Sequence, residues 1–229
     1  MRPIQLDARL GAVANFVRKD SVVADIGTDH AYLPVFLVQQ NIAKKVIACD
    51  CNAGPLSRAA ETVKAYRMEN GIVLRLGDGL KVISPGECDD VIIAGMGGEL
   101  IADIIKAAPW VKDPRYRLIL QPMTKAERLR KFLLESGFAV ERETAVVDSD
   151  KIYNVLCSAY RGQVTFDETD IFFGGLRSDQ SAAAAAYRQK VIDRLQKRMA
   201  GLQKAGKNTA ALLALMRKLQ TNGKEDAAK

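Results

Sequence analysis

The sequence predicts an α/β fold: a mostly parallel sheet, an antiparallel strand pair closing it, and a C-terminal helical hairpin. Three observations carry that expectation. Five short apolar runs alternate with segments of helical periodicity, the pattern of successive βα units. Four of those runs end in Gly or Asp, which suits ligand approach at the carboxyl edge of an open sheet. Past residue 161 the pattern changes to apolar positions at helical spacing among clusters of Lys and Arg.

The chain's 229 residues have room for one full α/β domain and an appendage. Its 48% hydrophobic and 27% charged content is ordinary for a globular protein. No run approaches the ~18 uncharged apolar residues of a membrane-spanning helix, so no membrane partner is expected. The opening MRPIQLDARLGAVANFV lacks an apolar leader core, and a cytoplasmic location is the expectation. Cys49, Cys51, Cys88 and Cys157 fit free thiols, because Cys49-x-Cys51 is not a zinc spacing. With a single histidine besides, no metal is expected. The net charge of +7 is uneven: from Arg161 onward thirteen Lys/Arg face seven Asp/Glu, while the first 160 residues are close to neutral. A near-neutral domain (residues 1–161) thus carries a basic arm (residues 162–229). That asymmetry points to a polyanion, nucleic acid first, although a solvated basic helix face would look alike.

Residues 4–17 carry Leu6, Leu10, Val13, Ala14 and Val17 at helical spacing, with Asp7 in the first turn, where it complements the helix dipole. Arg9 and Arg18 fall on the polar side, where surface charges are ordinary. Residues 22–36, VVADIGTDHAYLPVF, give a strand ending in Asp25-Ile26-Gly27, a polar turn Thr28-Asp29-His30, and a helix over residues 31–39. This is how a nucleotide-binding unit opens, although an ordinary βα turn also needs a glycine. A second strand, residues 45–49, ends in Asp50, roughly the ~20 residues past the first glycine turn at which such folds place an acid for a ribose. A helix follows from Asn52 or Ala53 to about Tyr66, with Leu56, Ala59, Ala60 and Val63 inward.

Residues 72–76 form a third strand running into Gly77-Asp78-Gly79-Leu80, whose carboxylate suits an exocyclic adenine amine as well as a plain turn. The fourth strand, residues 90–94, opens into Gly95-Met96-Gly97-Gly98 and a helix over residues 99–107. Residues 117–120 give a fifth strand ending in Gln121-Pro122-Met123. Thr124 is expected to cap a helix over residues 125–136, with Glu127 completing a capping box and Gly137 ending it. Residues 138–147 and 151–160 pair as a hairpin through Asp148-Ser149-Asp150.

Gly174-Gly175 is expected to end the globular part, with Ser178 or Asp179 capping a long helix to about Lys204. Ile192, Leu195, Met199 and Leu202 repeat at 3-4-3 spacing, a coiled-coil seam. Gly206 ends that helix, Asn208 caps a second, and Leu212, Met216 and Leu219 form the matching stripe. Arg188, Lys190, Arg194, Lys197, Arg198, Lys204 and Lys207 decorate the hairpin, and residues 222–229 are expected to fray. The seam can close within one chain or between two; a monomer is the expectation.

Dinucleotides and S-adenosyl-L-methionine both use this architecture. A dinucleotide needs G-x-G-x-x-G so that its pyrophosphate can sit on the helix N-terminus. In Gly27-Thr28-Asp29-His30-Ala31-Tyr32, Asp29 and Tyr32 take the places of the second and third glycines. A carboxylate there repels a pyrophosphate but not the sulfonium and ammonium groups of a methyl donor. With Asp50 for the ribose and Asp78 for the adenine amine, the expectation becomes a Rossmann-like class I methyltransferase sheet with S-adenosyl-L-methionine as cofactor.

In order along the chain, DIGTDHAYLP, GDGL, IIAGMGGELI and LILQP resemble the bacterial tRNA (adenine-22-N1)-methyltransferase family. Its members join a Rossmann-like S-adenosylmethionine domain to a small C-terminal coiled coil. The similarity runs from Leu6-x-x-Arg9-Leu10 to the basic hairpin and includes KIYNVL in the closing strand; Phe173-Gly174-Gly175 departs from the family's more usual Gly-Pro. The resemblance implies that Asp25, Gly27 and Asp29 line the methionine side of the cofactor. It implies that Asp50 holds the ribose, with Cys51 beside it, and that Asp78 and Gly79 hold the adenine. Ala94, Gly95, Met96 and Gly97 then shape the entrance for the target base.

Asp29, His30 and Tyr32 become the candidates for catalysis: Asp29 to stabilise the developing cation, His30 to accept or relay a proton, Tyr32 to stack on the flipped base. Arg9, Gly97, Gln121, Arg188, Arg194, Lys197 and Arg198 become candidates for binding the tRNA partner. Two other readings stay open on the sequence. One is a methyltransferase of the same fold acting on another RNA or a small molecule; the other is a non-catalytic RNA-binding protein.

Overall fold

The computed structural model describes residues 4–225. Seven strands, β1 (Ser21–Ile26), β2 (Ala43–Asp50), β3 (Ile72–Leu76), β4 (Asp90–Gly97), β5 (Arg117–Thr124), β6 (Phe138–Asp148) and β7 (Lys151–Tyr160), form one sheet in the order β3-β2-β1-β4-β5-β7-β6. The first five are parallel, and β7 inserts antiparallel between β5 and β6. The strand order reverses between β1 and β4, which opens a crevice at their carboxyl ends.

Helices α1 (Ala8–Ala14), α2 (Tyr32–Gln39) and α3 (Ala53–Ala65) cover one face. There Val13, Leu33, Val35, Ala59 and Val63 bury against Val23, Val46 and Ile92. On the other face α4 (Gly98–Lys106) and α5 (Ala126–Glu135) bring Ile101, Ile105, Leu129 and Leu133 against Ala24, Ile26, Ile93 and Leu120. Neighbouring residues of one strand point to opposite faces, so the continuous apolar runs of β1, β4 and β5 supply both cores at once.

Several local expectations shift. Helix α1 is shorter than residues 4–17, because Asp7 is its N-cap and accepts from the Leu10 amide at 2.6 Å. Ala60 faces solvent, not the sheet. Thr124 caps nothing: it remains in β5, paired with Gly97, and Lys125 starts α5 in the left-handed region at φ 55. The cause is close packing, since a Cβ on Gly98 would lie 2.6 Å from the Lys125 carbonyl oxygen and 2.9 Å from that of Thr124. Glu127, free of the capping box, pairs with Arg194 at 3.1 Å. Arg18 is no loose surface charge. Its amide and Nε reach the buried Asp90 carboxylate at 2.7 and 2.6 Å, pinning the chain to the foot of β4.

In the basic region, α6 (Glu168–Phe172) precedes the hairpin of α7 (Ala182–Lys204) and α8 (Ala210–Glu225). Its Asp167–Asp170 capping box lies at a spacing that the sequence reading passed over. Ser181, not Ser178 or Asp179, caps α7, and its hydroxyl accepts from the Ala184 amide. The stripes meet in part: Ile192, Leu195, Met216 and Leu219 are buried together, Met199 and Leu212 pack partly buried against them, and Leu202 stands outside that cluster. That core also takes in Ala145 of β6, Phe173 and Leu176, so the chain stays packed through Gly174-Gly175 and does not end its globular part there. Helix α8 runs to Glu225, so residues 222–225 are helical where the sequence predicts fraying, and the rest of that segment, residues 226–229, lies outside the described residues. No helix among the described residues is long and apolar enough to cross a membrane.

Candidate active site

An open pocket of about 350 Å³ lies at the β1/β4 crevice, lined by Arg9, Asp25, Gly27, Asp29, His30, Tyr32, Ala94 and Gly95 among others. Asp25, near the end of β1, is only 5% exposed. Burial pushes its carboxyl up to about 6 from 3.8; a hydrogen bond from Thr28 opposes the rise, and the neighbouring Asp50 adds to it. Gly27 sits at φ +82, and a Cβ there would meet the Met96 methyl at 2.2 Å, so this turn requires glycine twice over. The Gly27 and Thr28 amides donate to the Cys49 carbonyl at 2.8 and 2.9 Å, stitching the turn to β2.

From that turn Asp29 reaches the rim. Its carboxylate accepts from Arg58 of α3 at 2.6 Å and lies 3.5 Å from His30 Nε2. The His30 and Tyr32 rings stack at 5.3 Å and 6°, and Tyr32 remains 47% exposed. The three catalytic candidates therefore share one rim, as an acid held by Arg58 with the stacked His30 and Tyr32 rings beside it.

The opposite wall comes from β4. Its register with β5 shifts from Ala94↔Gln121 to Met96↔Pro122, leaving Gly95 as a bulge at φ +79. The Gly95 amide and Arg9 Nη1 both donate to Gln121 Oε1, at 3.1 and 2.9 Å. Gln121 is fully buried, and its Oε1 ties Arg9 to the bulge. Arg9 is drawn off the surface into the pocket, its guanidinium 5.9 Å from the Tyr153 ring centre. Met96 turns its side chain under Gly27. Gly97 lies 3.4 Å (from a would-be Cβ) from the Thr124 hydroxyl, at the head of α4.

The remaining cofactor candidates stand at the neighbouring strand ends, outside this pocket's lining. Asp50 is nearly buried and accepts from the Asn52 amide at 2.8 Å. Cys51 is exposed, whereas burial raises the thiols of Cys49 and Cys88 to about 12. Asp78 is exposed and pairs with Lys81 at 2.6 Å. Gly79 is at φ +56 against Ile104. Behind that loop Arg75 grips Glu87, whose carboxyl drops to about 2 through hydrogen bonds from Arg75 and the Ser84 amide.

On the arm the candidates separate. Arg188 is spent on structure, donating to the carbonyls of Leu176 and Asp179, the latter at 2.7 Å. Arg194 holds Glu127, while Lys197 and Arg198 are exposed and form no ion pair among the described residues. Sequence reasoning missed Arg58 and Thr28. For Arg58 the available signal was a cation in the N-terminal half of a helix, where the dipole disfavours it. No cluster of potential metal ligands occurs among the described residues.

Comparison with known proteins places this geometry. Residues 6–156 match the family model described as a methyltransferase domain. The Bacillus subtilis tRNA (adenine(22)-N(1))-methyltransferase is 40% identical over 156 residues, which span 68% of this chain and 66% of that relative's length. The crystal structure of the B. subtilis M1A22 tRNA methyltransferase TrmK superposes with a TM-score of 0.81 at 30% identity, covering 97% of this chain and 99% of that one. A Streptococcus pneumoniae structure in complex with S-adenosyl-L-methionine gives 0.81 at 30% identity over 93% and 97% of the two chains. A methyltransferase-domain match over most of the chain and an end-to-end structural match at this identity lead to one conclusion: the chain belongs to the bacterial tRNA (adenine-22-N1)-methyltransferase family.

Proposed function

We propose that the protein transfers a methyl group from S-adenosyl-L-methionine to N1 of an adenine in tRNA, at position 22. The observation that carries this reading is the pocket itself. A buried carboxylate, a rim carboxylate, an exposed aromatic face and a glycine bulge converge within one hollow at the strand-order switch. A donor bearing an ammonium group fits the buried acid, because a cation beside Asp25 offsets the cost of ionising it there.

Asp25, Gly27 and Asp29 hold the methionine portion, Asp50 and Cys51 the ribose, and Asp78 and Gly79 the adenine of the cofactor. Ala94, Gly95, Met96 and Gly97 form the edge at which the two reactants meet. The cofactor supplies an electrophilic methyl group on a sulfonium. Adenine N1 offers a lone pair without losing a proton, so the work of these residues is alignment at near-attack distance. Tyr32, backed by His30, presents a stacking face to a base that has left its stack, a step costing a few kcal/mol. Asp29, held by Arg58 with His30 3.5 Å away, stabilises the positive charge that methylation leaves on the base. His30 accepts or relays a proton of the exocyclic amine.

Residues 1–161 perform the chemistry, and residues 162–229 form the basic arm that holds tRNA through Arg194, Lys197 and Arg198, with Arg9 in the pocket. The protein acts as a cytoplasmic monomer and needs no metal. The test is incubation with unmodified bulk tRNA and methyl-labelled cofactor, followed by mapping of the modified nucleoside. The expected product is 1-methyladenosine at one position, lost with Asp29→Ala. No incorporation into any tRNA overturns the reading.

A further inference from the structure

A second, larger hollow of about 740 Å³ is bounded by the end of β5, the start of β7 and one face of α7. The two hollows open at the same carboxyl edge of the sheet from opposite faces: Ala94, which lines the first, packs with the α1–α3 core, whereas Asn154, which lines the second, shares its face of β7 with Leu156 of the α4–α5 core. Ile152 and Val191 give the second hollow apolar walls, and Lys125, Lys190, Arg194 and Lys197 stand around it with the carboxylates of Glu127 and Asp193. Lys190 is engaged by the Ile152 carbonyl at 3.0 Å and Lys125 by Glu99, whereas Lys197 forms no ion pair among the described residues.

Asn154, only 2% exposed, also lines this hollow. Its amide nitrogen donates to the Glu143 carboxylate at 2.8 Å, which fixes the amide's orientation. The carbonyl Oδ1 is left as an acceptor to which no described residue donates, and it is not among the fully enclosed unsatisfied atoms. An acceptor that opens into the hollow without a protein donor is available to a ligand N–H.

We propose that this hollow is a subsite for a nucleotide of the RNA substrate adjoining the methylated adenine. Its base lies unstacked between Ile152 and Val191, its exocyclic amine donates to Asn154 Oδ1, and Lys197 meets its phosphate. The assignment rests on the tRNA-methyltransferase reading above. A strand that delivers one base to the first hollow lies at the carboxyl edge of the sheet, on whose other face the second hollow opens. An apolar slot with a cation at its mouth and one inward acceptor matches a base bearing an amine, namely adenine, cytosine or guanine.

Two changes on α7 test it. Ala186→Trp fills the slot, and Lys197→Ala removes the cation. With cofactor affinity and melting temperature unchanged, Ala186→Trp is expected to raise KM for tRNA ~tenfold or more while leaving kcat within ~2-fold. Lys197→Ala is expected to lower the slope of log affinity against log salt by ~1. A test on the substrate side needs no protein variant: replacing flanking guanosine by inosine, or flanking adenosine by purine riboside, removes the amine and should raise KM ~3- to 10-fold. Wild-type methylation of tRNA with none of these KM values altered overturns the subsite alone. Wild type inactive on every tRNA overturns the functional reading, and the subsite with it.

Discussion

The guanidinium of Arg130 donates to the carboxylate of Glu143 at 2.6 Å, and neither side chain reaches solvent. Arg130 lies on α5 and Glu143 on β6, and the pair gathers partners from both parts of the chain. Arg130 also donates to the Phe172 carbonyl at 3.0 Å and the Tyr187 hydroxyl at 3.1 Å. Glu143 accepts from Asn154 at 2.8 Å and from the Gly175 amide at 3.1 Å. One buried network thus joins the sheet, the linker and α7. Removing one partner strands a charge, so Arg130→Ala should cost ~3–5 kcal/mol in urea unfolding. Replacing both by apolar residues, as in Arg130→Met with Glu143→Leu, should cost far less. Equal losses for the single and double variants would contradict this account.

The same network bears on truncation. Cutting at residue 178 removes Tyr187 from Arg130 and uncovers Phe173 and Leu176, which the hairpin helices bury. The shortened chain should melt well below the full-length protein and aggregate at lower concentration. An unchanged melting temperature in calorimetry would show that the arm contributes nothing to the stability of the rest.

Gly27 should tolerate no side chain. Alanine there meets both φ +82 and the Met96 methyl at 2.2 Å. Gly27→Ala should lose ~1–3 kcal/mol of stability and bind cofactor at least ~tenfold more weakly. Adding Met96→Ala removes the clash but not the backbone strain, so calorimetry should show partial recovery only.

Asp25 has its carboxyl pushed up to about 6 from 3.8. Between those values the native protein retains a proton that the unfolded chain has released, so its stability falls as pH rises from about 4 to about 6 and is level above. The difference of about two units corresponds to ~3 kcal/mol. Asp25→Asn should therefore stabilise the cofactor-free protein at pH 7.5 by up to ~3 kcal/mol and change little at pH 4. It should also weaken cofactor binding, because the ammonium loses its carboxylate. Denaturant titrations at the two pH values, with calorimetry for the cofactor, separate these effects.

Asp29→Asn should lower kcat by ~10²–10³ and move cofactor affinity less, since the charge it stabilises appears during transfer. Arg58→Ala leaves the carboxylate present but loose, and a smaller fall is expected. Single-turnover kinetics check both. A wild-type kcat in Asp29→Asn would remove Asp29 from the chemistry.

The sequence by itself determined the βα alternation, the glycine and acid at successive strand ends, the closing hairpin, and the two stripes that make α7 and α8 pack. It also carried the substitution of Asp29 and Tyr32 for the fingerprint glycines, which pointed away from a pyrophosphate. These features are encoded within one or two elements, by side-chain period and turn chemistry, so a linear reading reaches them. Only the tertiary structure decided what the long polar side chains do. Arg18 meets Asp90 across 72 residues, Arg9 meets Gln121 across 112, and Arg130 meets Tyr187 across 57. Such pairings depend on which strands become neighbours and which faces the helices cover, and no local pattern announces them. The capping box at Thr124 and Glu127 failed for the same reason: the close approach of Gly98 to the backbone set the turn, and Glu127 found its partner on a helix more than sixty residues further on.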